Sequence, residues 1–202
     1  KKTILDSYAG GDKKGLERFI TEMPERYFLS ASPKRIYNDY ALVLAARNED
    51  FALSIDVRHD GTTELTLCTS DSQGLFSRIV GFLSSKWMNI VSSRLYTGRD
   101  GIVVDRIRIS NWRDLWWEGM DMFIREELKK AVLGNYSVTL NEMAREPVGK
   151  FESFIEIDNE TSEDSSVLEF FSSDRLGLLY DVSSLIHENG LNIISANINT
   201  EL

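Results

Sequence analysis

Two stretches of the chain, residues 63–92 and 167–195, repeat one order of apolar and polar positions. In each, an alternating run gives way to an Asp-x-x-Gly-Leu sequence, then to apolar residues at helical spacing, then to a second alternating run. Asp174 follows Asp71 by 103 residues, and this offset holds through both stretches without a gap. A fixed internal repeat indicates duplicated supersecondary structure. Each copy is therefore predicted to be a strand, a tight turn, a helix and a second strand.

The first copy continues into a larger unit. Residues 102–109 alternate like a third strand, and residues 120–132 carry a helical apolar stripe that Gly134 ends. A fourth strand is predicted at either 136–140 or 151–157, and the second range is favoured because it contains more large apolar residues. The order βαββαβ is typical of an open sheet with two helices packed on one face.

The segments around this unit complete the predicted organisation. Residues 51–58 alternate and meet the turn sequence His59-Asp60-Gly61, which predicts a β-hairpin leading into the first copy. The predicted parts are a helical connector over 1–50, a first unit over 51–157 that includes this hairpin, and a second unit over 158–202. The second unit has no counterpart of the third strand, second helix and fourth strand, and the chain starts without methionine, so a fragment is expected. The fold class is α+β, with ferredoxin-like βαββαβ units.

Composition excludes several classes of partner. The formal charge of −9 and a pI near 4.8 argue against nucleic acid, since phosphate binding needs a basic stripe. No apolar run approaches the roughly 18 residues of a membrane span, and the first residues do not form a signal peptide. The single cysteine, Cys68, excludes an intramolecular disulfide and fits a reducing compartment. A cytoplasmic protein without a membrane or nucleic-acid partner is expected.

Residues that invite a catalytic interpretation have plainer roles. Cys68 lies within a predicted strand with no histidine nearby in sequence, so a packed or surface thiol is favoured over a nucleophile. His59 in a turn and His187 on a helix give little support to a metal site or a histidine base. Three tryptophans at the start of the predicted helix favour core or interface packing over a ligand cage. They are Trp112, Trp116 and Trp117.

The repeated Asp-x-x-Gly-Leu turn carries the candidate chemistry. Its glycine lets backbone approach a small ligand, and the free N–H groups at the start of the following helix favour a carboxylate. Asp71 or Asp174 can accept from an ammonium group, and Asn89 or Asn192, where the next strand begins, can bind an amide or an amino-acid head group. Amino-acid binding is chemically reasonable. The alternative is purely structural, with aspartate capping the helix and asparagine ending it.

The two copies resemble ACT domains, which are small βαββαβ regulatory modules that bind amino acids at the loop between the first strand and the first helix. From about residue 20 onward, the chain resembles the C-terminal region of the bifunctional uridylyltransferase/uridylyl-removing enzymes that act on the nitrogen-regulatory PII protein. The segments that carry the resemblance are Met23 to Tyr27, Asp71 to Ile79 with Asp100-Gly101 and Asp105, Ile157 to Ser162, and Val167 to Asp181.

This resemblance implies a regulatory region that senses glutamine, or another small amino acid, and controls opposed uridylylation and uridylyl removal on PII. No catalytic motif of that family is present, so whether the chain itself is an enzyme stays open; no cofactor is expected here, and Mg²⁺ only for catalytic domains elsewhere. The resemblance also leaves room for a homodimer through ACT interfaces. The ligand-loop residues it implies are Thr69, Asp71, Gly74, Leu75 and Asn89, and in the second copy Ser172, Asp174, Gly177, Leu178 and Asn192.

Three classes of function follow from the sequence. The favoured class is the regulatory end of a PII-modifying enzyme. The second is a tandem-ACT amino-acid sensor that stands alone or belongs to another metabolic enzyme, against which the segment from Met23 to Tyr27 speaks. The third is a dimerisation module whose loops bind nothing.

Overall fold

The computed structural model describes residues 2–110, 119–140, 152–162 and 165–199. Helices alternate along the chain with strands that form antiparallel sheets. This confirms the α+β class and is compatible with ferredoxin-like ACT repeats. The helices are α1 Lys2–Asp6, α2 Lys13–Glu22, α3 Glu25–Ser30, α4 Pro33–Glu49, α5 Leu75–Ser85, α6 Met120–Val132 and α7 Leu178–Glu188. The strands are β1 Phe51–Val57, β2 Thr63–Ser70, β3 Ile90–Arg94, β4 Ile102–Ile109, β5 Phe154–Asp158, β6 Val167–Phe171 and β7 Asn197–Asn199. The three tryptophans at 112, 116 and 117 lie outside the described residues.

Two helices of the connector begin at capping residues. Ser32 accepts a hydrogen bond from the Arg35 amide at 3.3 Å, and Pro33 opens α4, where a missing N–H costs nothing. Asp12 caps α2 by accepting from the Gly15 amide at 2.9 Å. The segment before the first unit is therefore helical, as predicted.

One five-stranded antiparallel sheet, in the order β1-β2-β4-β3-β7, runs through both copies of the repeat. The predicted hairpin is confirmed, because β1 pairs with β2 from Phe51 opposite Thr69 to Val57 opposite Thr63. At the other edge, β7 of the second copy pairs with β3 of the first. The two copies thus share a sheet.

The prediction that a fourth strand completes the sheet of the first unit is wrong. In a βαββαβ sheet that strand would lie beside the first strand of the unit, which is β2 here. β1 already occupies this place, since a hairpin partner reached through a short turn loses less chain entropy than a distant segment. The favoured segment does form a strand, β5, but it pairs with β6, and residues 136–140 form no strand.

The pairing of β5 with β6 places the start of the repeat one strand earlier than the sequence predicts. Phe154 follows Phe51 by the same 103 residues, and each begins the outer strand of a hairpin. The register differs by one residue, because Phe51 lies opposite Thr69 whereas Phe154 lies opposite Phe171. Each copy is thus a hairpin, a turn, a helix and a strand.

Helices cover the first unit on both faces of its sheet. α5 and α6 pack on one face, and the connector packs on the other through a buried cluster that includes Phe19, Tyr27 and Tyr40. Alternating apolar positions are typical of a strand with one exposed face, but every residue of β2 except Ser70 is buried, because the connector shields the second face of the sheet. Under the connector, Asp39 accepts from the Tyr27 hydroxyl at 2.6 Å and forms a buried ion pair with Arg106.

The second unit is anchored by its helix. α7 packs along α5, and Gly81 permits the close approach, since a Cβ there would lie 2.6 Å from the ring of Tyr180. The β5–β6 hairpin remains exposed, with Ile155 57% and Ile157 64% accessible. The two copies therefore differ sharply in burial.

Candidate functional site

The first Asp-x-x-Gly-Leu corner connects β2 to α5. Gly74 turns the chain with φ 72° and ψ 12°, a left-handed conformation that favours glycine. The Asp71 amide donates to the Gly101 carbonyl at 2.8 Å, which ties the corner to the turn before β4. Arg78 closes the loop by donating to the Gln73 carbonyl at 2.8 Å and to the Ser72 hydroxyl at 2.6 Å.

The second corner has the same backbone conformation but a different polar contact between its loop and its helix. Gly177 turns with φ 79° and ψ 4° into α7. Here the loop residue Arg175 forms an ion pair with Asp181 on the helix at 2.6 Å. Arg175 and Asp181 occupy the repeat positions of Ser72 and Arg78. The arginine thus lies on the helix in the first corner and on the loop in the second, and in both corners a polar contact joins the same two repeat positions.

A cavity lies where the first corner meets the second unit. His187 near the end of α7 stacks close to Gly74, where a Cβ would lie 2.9 Å from its ring. The Asn192 amide nitrogen is 3.5 Å from an Asp71 carboxylate oxygen. The residues lining the cavity are Asp71, Gly74, Leu75, Phe76, Ser77, Leu95, Thr97, Val103, Asp105, Ser183, Ile186, His187, Leu191, Asn192 and Ile193.

The cavity is narrow. The space open to the centre of a water molecule is about 20 Å³, within about 390 Å³ of open space at the mouth and between the walls. The smaller figure describes the room for a bound molecule, because the larger one includes open solvent, and it corresponds to one or two waters. An amino acid therefore requires the two units to separate slightly at this point.

Asp105 is the residue of this site that the sequence reasoning missed as a ligand group. It is 3% exposed on β4, and its Oδ1 accepts from the Tyr96 amide at 3.3 Å. Burial, and secondarily the negative charge of Asp71, raise the pKa of the Asp105 carboxyl well above its ordinary value. The available signal was an acidic residue between Val103 and Ile107, at a position where the alternation calls for an apolar side chain.

The start of α5 adds hydrogen-bond donors to the cavity. No side chain caps this helix, and within the described residues the amides of Phe76 and Ser77 have no hydrogen-bond acceptor. Free amides and the positive end of the helix dipole favour a carboxylate. The cavity therefore presents acidic groups and amide donors side by side.

The structure brings together four of the predicted ligand-loop residues and separates the others. Asp71, Gly74, Leu75 and Asn192 all line the cavity, although they come from different copies. Thr69 lies elsewhere, because its buried hydroxyl donates to the Asp50 carbonyl at 2.8 Å.

Asn89, the counterpart of Asn192, also lies away from the cavity. Its side-chain amide donates to the Ser110 hydroxyl at 3.3 Å. In the second copy, the Ser172 hydroxyl contacts that of Ser153 at 2.8 Å, and Gly177 faces Leu140. The cavity walls include none of Ser172, Asp174, Gly177 and Leu178. Ligand binding by these residues stays a prediction.

Other chemistry finds little support in the described part of the chain. It contains no group of three or more His, Cys, Asp or Glu side chains placed to hold a metal ion. Cys68 is fully buried, and burial raises the pKa of its thiol well above the ordinary value, which disfavours a nucleophilic thiolate. Within the described ranges, no helix combines the length and apolar character that a membrane crossing requires.

The fold and the cavity define a class: two related strand–helix–strand units that share a sheet and enclose a small cleft, joined to a helical connector. No protein-family model matches the chain. The chain is similar to proteins named bifunctional uridylyltransferase/uridylyl-removing enzyme, which confirms the resemblance seen in the sequence. It is 33% identical over 196 residues to the one from Nitrobacter hamburgensis and 31% identical over 196 residues to that of Bradyrhizobium sp. strain BTAi1.

The similarity covers nearly all of this chain and a small part of each relative. Both alignments include 92% of the chain and 21% of the relative. The protein from Haemophilus influenzae is 26% identical over 211 residues, covering 99% of the chain and 24% of the relative. The chain therefore corresponds to a part of such enzymes and spans less than a quarter of their length.

Proposed function

We propose that this chain is the amino-acid-sensing regulatory region of a bifunctional uridylyltransferase/uridylyl-removing enzyme that acts on PII, with glutamine as the ligand. The observation that carries the proposal is the cavity between the units, where Asp71 and the start of α5 meet Asn192 of the other copy. A site made from two units responds to their relative position. This is the property that a regulatory site needs.

The polar groups of the cavity match a zwitterion. The amides of Phe76 and Ser77 suit the ligand carboxylate, and the carboxylate of Asp71 suits its ammonium group. Asn192 carries a donor and an acceptor, which match the side-chain amide of glutamine. These complementary groups favour a small polar amino acid over an apolar one.

The narrow cavity explains how binding changes the molecule. A ligand shifts an equilibrium only when it binds one arrangement better than the other. Since the observed cavity admits one or two waters, glutamine binds an arrangement in which His187 and Asn192 have moved away from Gly74 and Asp71. The ligand thus stabilises a wider spacing of the two units.

A continuous set of contacts leads from the cavity to the connector. The Tyr96 amide donates to Asp105 at the cavity wall, while the Tyr96 hydroxyl contacts the Ser30 hydroxyl of α3 at 2.7 Å. On the same side, the Tyr96 ring packs against the ring of Tyr27 with centroids 5.3 Å apart. The second unit also touches the connector, through the Arg26 guanidinium and the Ile194 carbonyl at 3.3 Å. Movement at the cavity therefore reaches the segment that precedes the first unit.

Titration calorimetry on the protein at its full natural length tests the sensor. Glutamine is expected to give saturable heat, and Asp71→Asn to weaken binding by roughly 10- to 100-fold, because a charge-assisted hydrogen bond is lost. Asp56→Asn, at an exposed position on β1, removes the same charge away from the cavity and serves as the control. Absence of glutamine heat, with saturable binding of a different amino acid, would refute the choice of ligand.

The regulatory half of the proposal is tested by activity. Glutamine is expected to suppress uridylylation of PII and to promote uridylyl removal by the full-length protein. Ser30→Ala removes the hydroxyl contact with Tyr96 and leaves the cavity walls intact. This variant is expected to bind glutamine normally and to respond to it less. A response identical to that of the unmodified protein would show that the Tyr96 contact does not carry the signal.

A further inference from the structure

Among the described residues, two aspartates, Asp39 and Asp105, are each 3% exposed and have different surroundings. Asp39 has a full set of partners, the guanidinium of Arg106 and the hydroxyl of Tyr27. Asp105 lies in the strand next to Arg106 but on the other face of the sheet, and within the described residues it forms no ion pair. Because an unpaired buried carboxylate is destabilising, a proton or a cation would stabilise Asp105.

Within the described residues, the cavity walls contain no lysine or arginine. Of its lining residues, Asp71 on the corner loop and His187 on α7 are the other titratable groups. Asp71 adds a second negative charge, and the His187 Nδ1 atom is buried without a hydrogen-bond partner in the described structure. Among the described residues, the hydrogen-bond donor to Asp105 is the Tyr96 amide, which makes a long contact of 3.3 Å with its Oδ1. The cavity walls thus favour a positively charged ligand.

We infer that Asp105 receives the ammonium group of the amino-acid ligand together with Asp71, and that binding replaces a proton on Asp105 with this ammonium group. The inference rests on the proposed function, since it concerns the same cavity. In the reaction the carboxylic O–H bond of Asp105 breaks, its proton passes to the buffer, and the ammonium N–H groups donate to the resulting carboxylate. Burial and the charge of Asp71 support a protonated Asp105 before binding, because both raise the pKa of this carboxyl.

The sign of the pH dependence follows from this exchange. Below the pKa of Asp105 in the free protein, each bound ligand releases a proton, so its affinity rises with pH. Above that pKa the carboxylate is already formed and the dependence disappears. A cavity that used Asp105 as a neutral hydrogen-bond donor would release no proton.

The test is calorimetric titration of glutamine into the full-length protein at pH 7 in phosphate and in Tris, two buffers of different ionisation enthalpy. The difference in heat counts protons, and a net release of protons, at most one per glutamine, is expected. Asp105→Asn, of nearly equal size and neutral, is expected to bind roughly 10- to 100-fold more weakly and to release none. Circular dichroism verifies that this variant is folded.

A second measurement works on the unmodified protein and does not depend on the folding of a variant. 4-Carbamoylbutanoate is glutamine without its ammonium group, and it is expected to bind more weakly without releasing a proton. Asp56→Asn, outside the cavity, is expected to keep the proton release that Asp105→Asn loses, which assigns this release to Asp105. Glutamine binding without proton release, or equal release with 4-carbamoylbutanoate, would overturn this inference and leave the sensor intact. Absence of binding by any amino acid would remove the proposed function and this inference together.

Discussion

The Asp71 corner and the Asp174 corner have nearly the same backbone and opposite surroundings. Each turns through a left-handed glycine into a helix of 11 residues. The first is covered by His187 and Asn192 of the other copy, whereas the second faces Leu140 and an exposed hairpin. The comparison teaches that the repeated sequence specifies a local turn, and that packing between the copies makes the first turn part of a cavity.

The largest expected difference between the copies is in helix burial. Phe82 in α5 is fully buried, and Leu185, the residue at the same repeat position in α7, is 61% exposed. Phe82→Ala is expected to lower the free energy of unfolding by about 3–5 kcal/mol because it opens a cavity in the core. Leu185→Ala is expected to change it by less than about 0.5 kcal/mol. Urea denaturation followed by circular dichroism measures both; similar losses would mean that Leu185 is covered in solution.

An intermediate difference is expected at the corner glycines. Alanine in a left-handed conformation costs roughly 1–2 kcal/mol, and both Gly74→Ala and Gly177→Ala carry this cost. At Gly74 the added Cβ would also lie 2.9 Å from the rigid ring of His187, for roughly 1–3 kcal/mol more. At Gly177 it meets the flexible end of Leu140, which can rotate away.

Denaturation of the two glycine variants gives their stabilities, and glutamine titration reports on the cavity. Only Gly74→Ala is expected to weaken glutamine binding, because its added Cβ fills part of the space between Gly74 and His187 that the ligand needs. Loss of binding in Gly177→Ala as well would show that the second corner also holds a ligand, and the contrast between the corners would fail.

The smallest expected difference concerns the contacts of Arg78 and Arg175 at the two corners. Arg78→Gln removes hydrogen bonds to the corner loop and is expected to cost roughly 1 kcal/mol with little dependence on salt, since its acceptors are uncharged. Arg175→Gln breaks a partly exposed ion pair with Asp181 and is expected to cost about 0.5 kcal/mol at low salt and less at high salt. Denaturation at two NaCl concentrations measures both effects. Equal salt dependence of the two variants would contradict the difference between hydrogen bonds at Arg78 and an ion pair at Arg175.

The repeat was accessible from the sequence because its signals are local. Both corner glycines lie where Asp-x-x-Gly-Leu predicts a turn, and both helices begin at the following leucine. The pairing of β5 was not accessible, since its apolar residues fit any open strand edge and the hairpin partner β1 had already filled the edge of β2. Asp105 was visible only as an interruption of the alternation in β4, without a sign of what it faced.

The sequence by itself determined the duplicated units, their turns, the hairpin before the first unit and the helical connector, because short-range periodicity and turn residues specify these features. The tertiary structure decided which strands are neighbours, that the connector buries the second face of the sheet, and that Asp71, Asp105 and Asn192 line one cavity. The physical reason is that apolar burial has no direction and each strand edge accepts many partners. The arrangement of the whole chain therefore selects among them.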